Sequence, residues 1–113
     1  MIPPVPCVIA FVTAPNIETA RKIARLTLEQ GLTACANILP LIESIYWWEE
    51  KLETSSEVLI IFKTTSDRQL QLRECVLANH PYEVPEFVAF NIDQGSEPYL
   101  QWIRKNAVPR QSP

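Results

Sequence analysis

The densest group of residues able to do chemistry is His80-Pro81-Tyr82-Glu83-Val84-Pro85-Glu86. A proline pushes the residue before it out of the helical region, so Pro81 and Pro85 predict an extended segment. If extended, it turns His80, Tyr82 and Glu86 to one side and Glu83 to the other. The two carboxylates then cannot serve one substrate as general acid and general base unless a turn intervenes. An imidazole with one or two carboxylates is a partial ligand set for a divalent ion. The missing donors must come from elsewhere in the chain or from a neighbouring subunit. The same residues also suit a rigid connector whose acids are solvated.

Cys35 lies in Ala34-Cys35-Ala36-Asn37, among small residues that would let a reactant approach. A thiol nucleophile needs a base, and His80 is the only histidine in the chain. Cys35 reads equally well as an inert strand cysteine. Lys63 ends an apolar run beside Thr64 and Thr65, where it can bind an anion or lay its stem along a sheet edge. Trp47 and Trp48 read as packing residues rather than a base-stacking platform, because no basic stripe accompanies them.

The rest of the composition narrows the field. Gly31 and Gly95 are the only glycines, which excludes phosphate loops built from clustered glycine. Ten basic residues against thirteen acidic ones give a net charge of −3, a poor match to nucleic acid. Cys7, Cys35 and Cys75 are an odd number and form no C-x-x-C pair, so neither a zinc knuckle nor a redox dithiol is expected. The opening Met1-Ile2-Pro3-Pro4-Val5-Pro6 lacks a basic n-region, and no apolar run approaches the ~18 residues of a membrane span. The expectation is a soluble cytoplasmic protein without a membrane or nucleic-acid partner. Its 113 residues fit one domain, 1–113, with 1–4 and 109–113 expected to fray.

The elements that must position these residues follow from periodicity. Val5 to Thr13 is apolar at nearly every position, as in a strand covered on both faces. Asn16 can cap a helix whose stripe is Ala20, Ile23, Ala24, Thr27 and Leu28, with Gly31 stopping it. Thr33 to Trp48 is strand-like, and Pro40 marks a bulge, a bend or an edge. Glu49 to Ser56 reads as a hairpin tip, and Glu57 to Thr64 as the returning strand. Ser66 and Gln69 predict a capping box opening a helix over 67–79, with Leu72, Cys75, Val76 and Asn79 inward. Glu86 to Ile92 predicts a fourth strand, and a last helix starts near Ser96. The order βαββαβ plus a helix predicts an α+β, ferredoxin-like sandwich with a long β-hairpin. That hairpin exceeds what such a sheet can cover, and its end carries Tyr46, Trp47 and Trp48 on both faces. A two-sided apolar ribbon aggregates unless another chain covers it, so a homo-oligomer is expected.

Taken together, Thr13-Ala14-Pro15, Ala34-Cys35-Ala36-Asn37-Ile38, Ser44-Ile45-Tyr46-Trp47-Trp48, Glu57 and Lys63-Thr64-Thr65 resemble the CutA family of divalent-cation tolerance proteins. His80-Pro81-Tyr82-Glu83-Val84-Pro85-Glu86 with Tyr99-Leu100-Gln101-Trp102 carries the resemblance to the end of the chain. It implies a ferredoxin-like homotrimer similar in plan to PII signalling proteins, a non-catalytic role in tolerance to copper and other divalent ions, and ligand clefts between subunits. Carried over, the cleft residues are Cys35, Asn37, Trp48, Lys63, Tyr82, Glu83 and Glu86, with His80 as the metal ligand and a metal not required for folding. Some relatives place a cysteine before Thr-Ala-Pro and a second histidine before His-Pro. Here Val12 and Asn79 stand there, which removes a soft ligand and an imidazole from any copper site. Many relatives also carry Trp-x-Gly at the hairpin tip, where this chain has Glu50. Two other readings stay open: an enzyme using Cys35 or the Tyr82/Glu83/Glu86 group, and a trimeric docking scaffold.

Overall fold

The computed structural model describes residues 2–110, so the fraying expected of Met1 and of 111–113 lies outside the described residues. Residues 2–4 and 109–110 are exposed and belong to no helix or strand. The apolar run at the start forms strand β1 (Cys7–Ala14). Pro15 follows, and the Asn16 side chain accepts the Thr19 N–H at 2.8 Å to start helix α1 (Ile17–Glu29). Ala20, Ile23, Ala24 and Thr27 are the buried stripe, as the spacing predicts. Gly31 then takes a φ of +69°, and a Cβ on it would sit 1.8 Å from the Val108 carbonyl oxygen. Both the left-handed backbone and the close approach require glycine.

Strands β2 (Cys35–Trp48) and β3 (Lys51–Thr65) form the hairpin. The expected tip over 49–56 is corrected: Trp48 pairs with Lys51, so the turn is Glu49 and Glu50 alone and Lys51 to Ser56 belong to the strand. Glu49 and Glu50 have φ of 49° and 66°, the left-handed pair that a two-residue turn needs to match strand twist. Short alternating polar residues hide this strand from composition, but ladder pairing with β2 holds it. Leu39 pairs with Leu59 and Ile42 with Glu57, so Pro40 and Leu41 oppose Val58 alone in a one-residue bulge.

Helix α2 (Gln69–Ala78) starts later than predicted, and the Ser66/Gln69 capping box does not form. Residues 66–68 make a turn closed by Arg68 N–H to the Thr65 carbonyl, which places Ser66 too far upstream to cap. Leu72 and Val76 are buried on its inner face, with Cys75 and Asn79 half-buried. Strand β4 (Val88–Asn91) is shorter than the predicted 86–92, because pairing with β1 begins only at Val88. Helix α3 (Glu97–Asn106) follows.

The sheet order is β2-β3-β1-β4, antiparallel throughout, which is the split-βαβ arrangement expected of the element order. Helices α1 and α2 cover one face, where Ala20, Ile23, Leu72 and Val76 meet Ala10, Val12, Ala14, Val58, Ile60 and Phe62. Cys7, of opposite parity to Ala10, packs with Ala34, Ile103 and Ala107, so α3 caps one end of the other face. The rest of that second face stays open, with Leu39, Val88 and Phe90 exposed.

Both tip glutamates carry a Cβ in left-handed backbone, which costs of order 1 kcal/mol or more per residue. Replacing them as Glu49→Asn with Glu50→Gly is expected to raise stability by about 1–2 kcal/mol in urea denaturation. An unchanged midpoint would show that the turn is not strained.

Candidate functional site

Helix α2 ends where Asn79 folds back, its Nδ2 donating to the Cys75 carbonyl at 2.8 Å, and Pro81 prevents continuation. The chain then bends through residues 81–84, which corrects the extended run predicted for His80 to Glu86. Strand β4 pairs with β1 only as far as Phe11, and His80 takes a carbonyl beyond that pairing: its Nε2 lies 2.7 Å from the Thr13 oxygen. The Tyr82 N–H donates to His80 Nδ1 at 3.1 Å, which makes Nδ1 the acceptor and leaves Nε2 to donate to Thr13. The imidazole is therefore a strut that binds the connector to β1 at one side and shapes its bend at the other. The two rings, His80 and Tyr82, pack with centroids 4.8 Å apart.

From that bend Tyr82 crosses to β3, where its hydroxyl donates to Glu57 Oε2 at 2.8 Å. Burial, then the hydrogen bond and charge of Glu57, push the Tyr82 phenol well above its usual range. Glu57 itself is only 8% exposed. It owes its place to the register beside the bulge, and the bulge also decides what stands next to it. Without the extra residue, Tyr46 and Trp48 would point to the opposite face of the ribbon; with it, they share the face of Glu57.

The result is a cleft of about 640 Å³ that runs along one face of the hairpin from Glu57 beside the bulge toward Trp48 near the tip. It is lined also by Tyr46, Tyr82, Glu83 and Glu86 with Thr13, Glu43, Ile45 and neighbours. Partial burial and the Glu57 carboxylate raise the Glu86 carboxyl above the ordinary range. Of the residues carried over from the resemblance, Trp48, Tyr82, Glu83 and Glu86 line this cleft. Cys35, Asn37 and Lys63 do not. Cys35 pairs with Lys63 at the other end of the ribbon, its Sγ 3.5 Å from Asn37 Oδ1, and the Lys63 ammonium sits 5.6 Å from the Tyr99 ring centre. His80 stands behind the cleft wall rather than in it. Sequence reasoning quoted Glu57 in the family pattern without giving it a role, and missed Tyr46 as a lining residue. Knowing that Pro40 makes a bulge would have supplied Tyr46, since parity then follows.

The donor set does not fit a metal centre within one chain. Among the described residues, no three His, Cys, Asp or Glu side chains converge on one point. Both nitrogens of His80 are already bonded. Val12 is wholly buried in the helix-side core, away from the cleft, and Asn79 is occupied as a helix end. Burial raises the Cys75 thiol, and it lies beside Asn79 on α2.

Glu86 yields a pH prediction. Its folded carboxyl holds a proton more tightly than the unfolded one, so the ionised form opposes folding above both pKa values. This contribution to stability is gained as pH falls through the folded-state pKa toward ~4.3, the unfolded carboxylate value. Glu86→Gln is therefore expected to be more stable than the parent at pH 7, with the difference shrinking toward pH ~4.3. Urea melts across that range check it; a difference that does not change with pH would contradict the shift.

The chain has known relatives. The profile described as CutA1 divalent ion tolerance protein matches residues 8–106. The human protein CutA is 49% identical over 96 residues, 85% of this chain and 54% of that protein, so this chain spans little more than half its length. The divalent-cation tolerance protein CutA of Thermus thermophilus is 43% identical over 98 residues, 87% of this chain and 95% of that protein. Among solved structures, CutA1 of Oryza sativa superposes with a TM-score of 0.86 at 44% identity, covering 96% of this chain and 97% of that one. The periplasmic divalent cation tolerance protein CutA of Archaeoglobus fulgidus gives 0.86 at 37%, covering 90% and 99%. A family match over residues 8–106, joined to superposition on a solved CutA1 at a TM-score of 0.86, makes this chain a member of the CutA1 divalent ion tolerance family.

Proposed function

We propose that the chain acts as a homotrimer that binds a divalent metal ion or a small ligand in clefts between subunits, in a tolerance role without catalysis. The observation that carries this reading is the uncovered ribbon. In the bulge Leu41 is 75% exposed; beyond it Ile45 is 61%, Trp47 72% and Leu52 62% exposed, and Tyr46 and Trp48 are exposed on the opposite side. The second face of the sheet adds Leu39, Val88 and Phe90, with Phe90 edge-on to Phe11 at 5.4 Å. Apolar surface of this extent, on both sides of one ribbon, is stable in water only against another surface. A second and third copy would cover it and enclose the cleft along it, as the PII-like plan of the resemblance implies.

Metal chemistry in this reading needs donors from two copies, because the described residues of one chain do not bring three together. Glu57, Glu83 and Glu86 would offer oxygen, and His80 would have to release either Thr13 or the Tyr82 N–H to become a ligand. Copper is the ion to try first. The non-catalytic assignment rests on Cys35, whose polar neighbour is Asn37, while His80 is held by Thr13 and Tyr82. A cytoplasmic location belongs to the same proposal. No described helix is long and apolar enough to cross a membrane, and a rice relative is named chloroplastic, so cell fractionation decides location.

Trp48→Ala is expected to weaken assembly by about 2–4 kcal/mol per interface while leaving subunit secondary structure in place. Sedimentation at several concentrations and far-ultraviolet circular dichroism measure the two separately. A parent protein that stays monomeric at micromolar concentration would remove the trimer. Copper titration of His80→Ala should show weaker binding than the parent; an unchanged isotherm would take the histidine out of the ligand set.

A further inference from the structure

Glu57 presents an unusual electrostatic problem. The residue is only 8% exposed and faces the cleft, its hydrogen bond comes from the Tyr82 hydroxyl, and among the described residues no Lys, Arg or His forms an ion pair with it. Removing a carboxylate from water without a cation is costly, and native structures compensate such charges. The only ion pair among the described residues, Arg104 with Glu97 at 3.2 Å, lies on α3. Among the described residues no lysine or arginine lines the cleft into which Glu57 faces, whereas Glu43, Glu83 and Glu86 do. The rings of Tyr46, Trp48 and Tyr82 stand in the walls among Thr13, Ser44, Ile45 and Val84. Aromatic faces attract cations through their quadrupole, tryptophan most strongly.

Size then discriminates between kinds of cation. A space of about 640 Å³ falls within the range of pockets for metabolite-sized molecules and greatly exceeds one bare ion. A metal ion would need three converging donors, which the described residues of one copy do not provide, so it would have to draw on a second copy. An aliphatic ammonium ion needs less: a carboxylate at one end, ring faces along its stem and acids for a second charge. We propose that this aromatic-walled, carboxylate-floored cleft binds an organic ammonium ion, with Glu57 as its counter-charge. The inference rests on the reading of this cleft as a ligand site and assigns the class of ligand.

The test uses the full-length assembled protein at pH 7.5 and fixed ionic strength, titrated with putrescine, with uncharged 1,4-butanediol and with zinc chloride. Binding is followed by nuclear magnetic resonance of the tryptophan indole N–H signals, assigned with single-tryptophan variants. Putrescine is expected to shift the Trp48 signal, 1,4-butanediol to leave it in place, and Glu57→Gln to weaken putrescine by about tenfold or more. Glutamine keeps an acceptor for Tyr82, so the fold should survive; Glu83→Gln with Glu86→Gln is a second variant at exposed positions and should also weaken putrescine. Equal response to the diol, unchanged affinity in both variants, or no putrescine binding by an intact trimer would overturn the ammonium assignment while leaving assembly standing. Zinc binding more tightly than putrescine, with loss in Glu57→Gln, would overturn it in favour of a metal. A crystal structure with a cationic side chain of a second copy on Glu57 would overturn it as well. Failure of the protein to assemble at all would instead remove the proposal of an intersubunit cleft.

Discussion

A fourteen-residue strand paired with a fifteen-residue one, beside strands of eight and four, leaves half a ribbon with no sheet next to it. Everything beyond the bulge is held only by its own cross-strand bonds and by whatever it packs on. A two-stranded ribbon alone is marginal in water. This one also exposes Trp47, Ile45 and Leu52 on one side and Trp48 and Tyr46 on the other. The elongated shape, 52 × 35 × 21 Å, follows from the same overhang. The proposed trimer answers this constraint, and the candidate site starts beside the bulge because sheet end and connector meet the ribbon there.

The bulge has two consequences that belong together. It adds one residue to β2, and side chains alternate along a strand, so the extra residue moves Tyr46 and Trp48 onto the face of Glu57. The connector after α2 then closes that face through two bonds, His80 to the Thr13 carbonyl and Tyr82 to Glu57. One links it to β1 and the other to β3, so the cleft wall is braced against both central strands. His80, the residue with the most evident chemical potential in the sequence, supplies that brace.

The cleft also shows where local and global demands differ. Burial, together with the charge of Glu57, raises the Glu86 carboxyl, and its ionised form opposes the folding of an isolated chain at neutral pH. Proteins keep such arrangements where a ligand or partner relieves them. The tip glutamates, both in left-handed backbone, are a second local cost that the ladder beneath them tolerates.

Much of this was legible in the sequence. Apolar runs, the Asn16 cap and Gly31 defined β1, α1 and the stop between them, and the element order led to the sheet order actually formed. Those features rest on local propensity and periodicity, which neighbouring residues settle among themselves. Lys51 to Ser56 escaped because a polar strand is specified by its partner rather than by its own composition. Ser66 misled because a capping box depends on where the turn closes. The chain alone determined which residues are present near the connector: one imidazole, one phenol and two acids between His80 and Glu86. Tertiary structure decided that Tyr82 meets Glu57, that Trp48 lines the same cleft, and that Cys35, Asn37 and Lys63 gather at the opposite end of the ribbon. Those contacts join residues far apart in sequence through one bulge and one bend, and a single residue of register reverses every side chain beyond it.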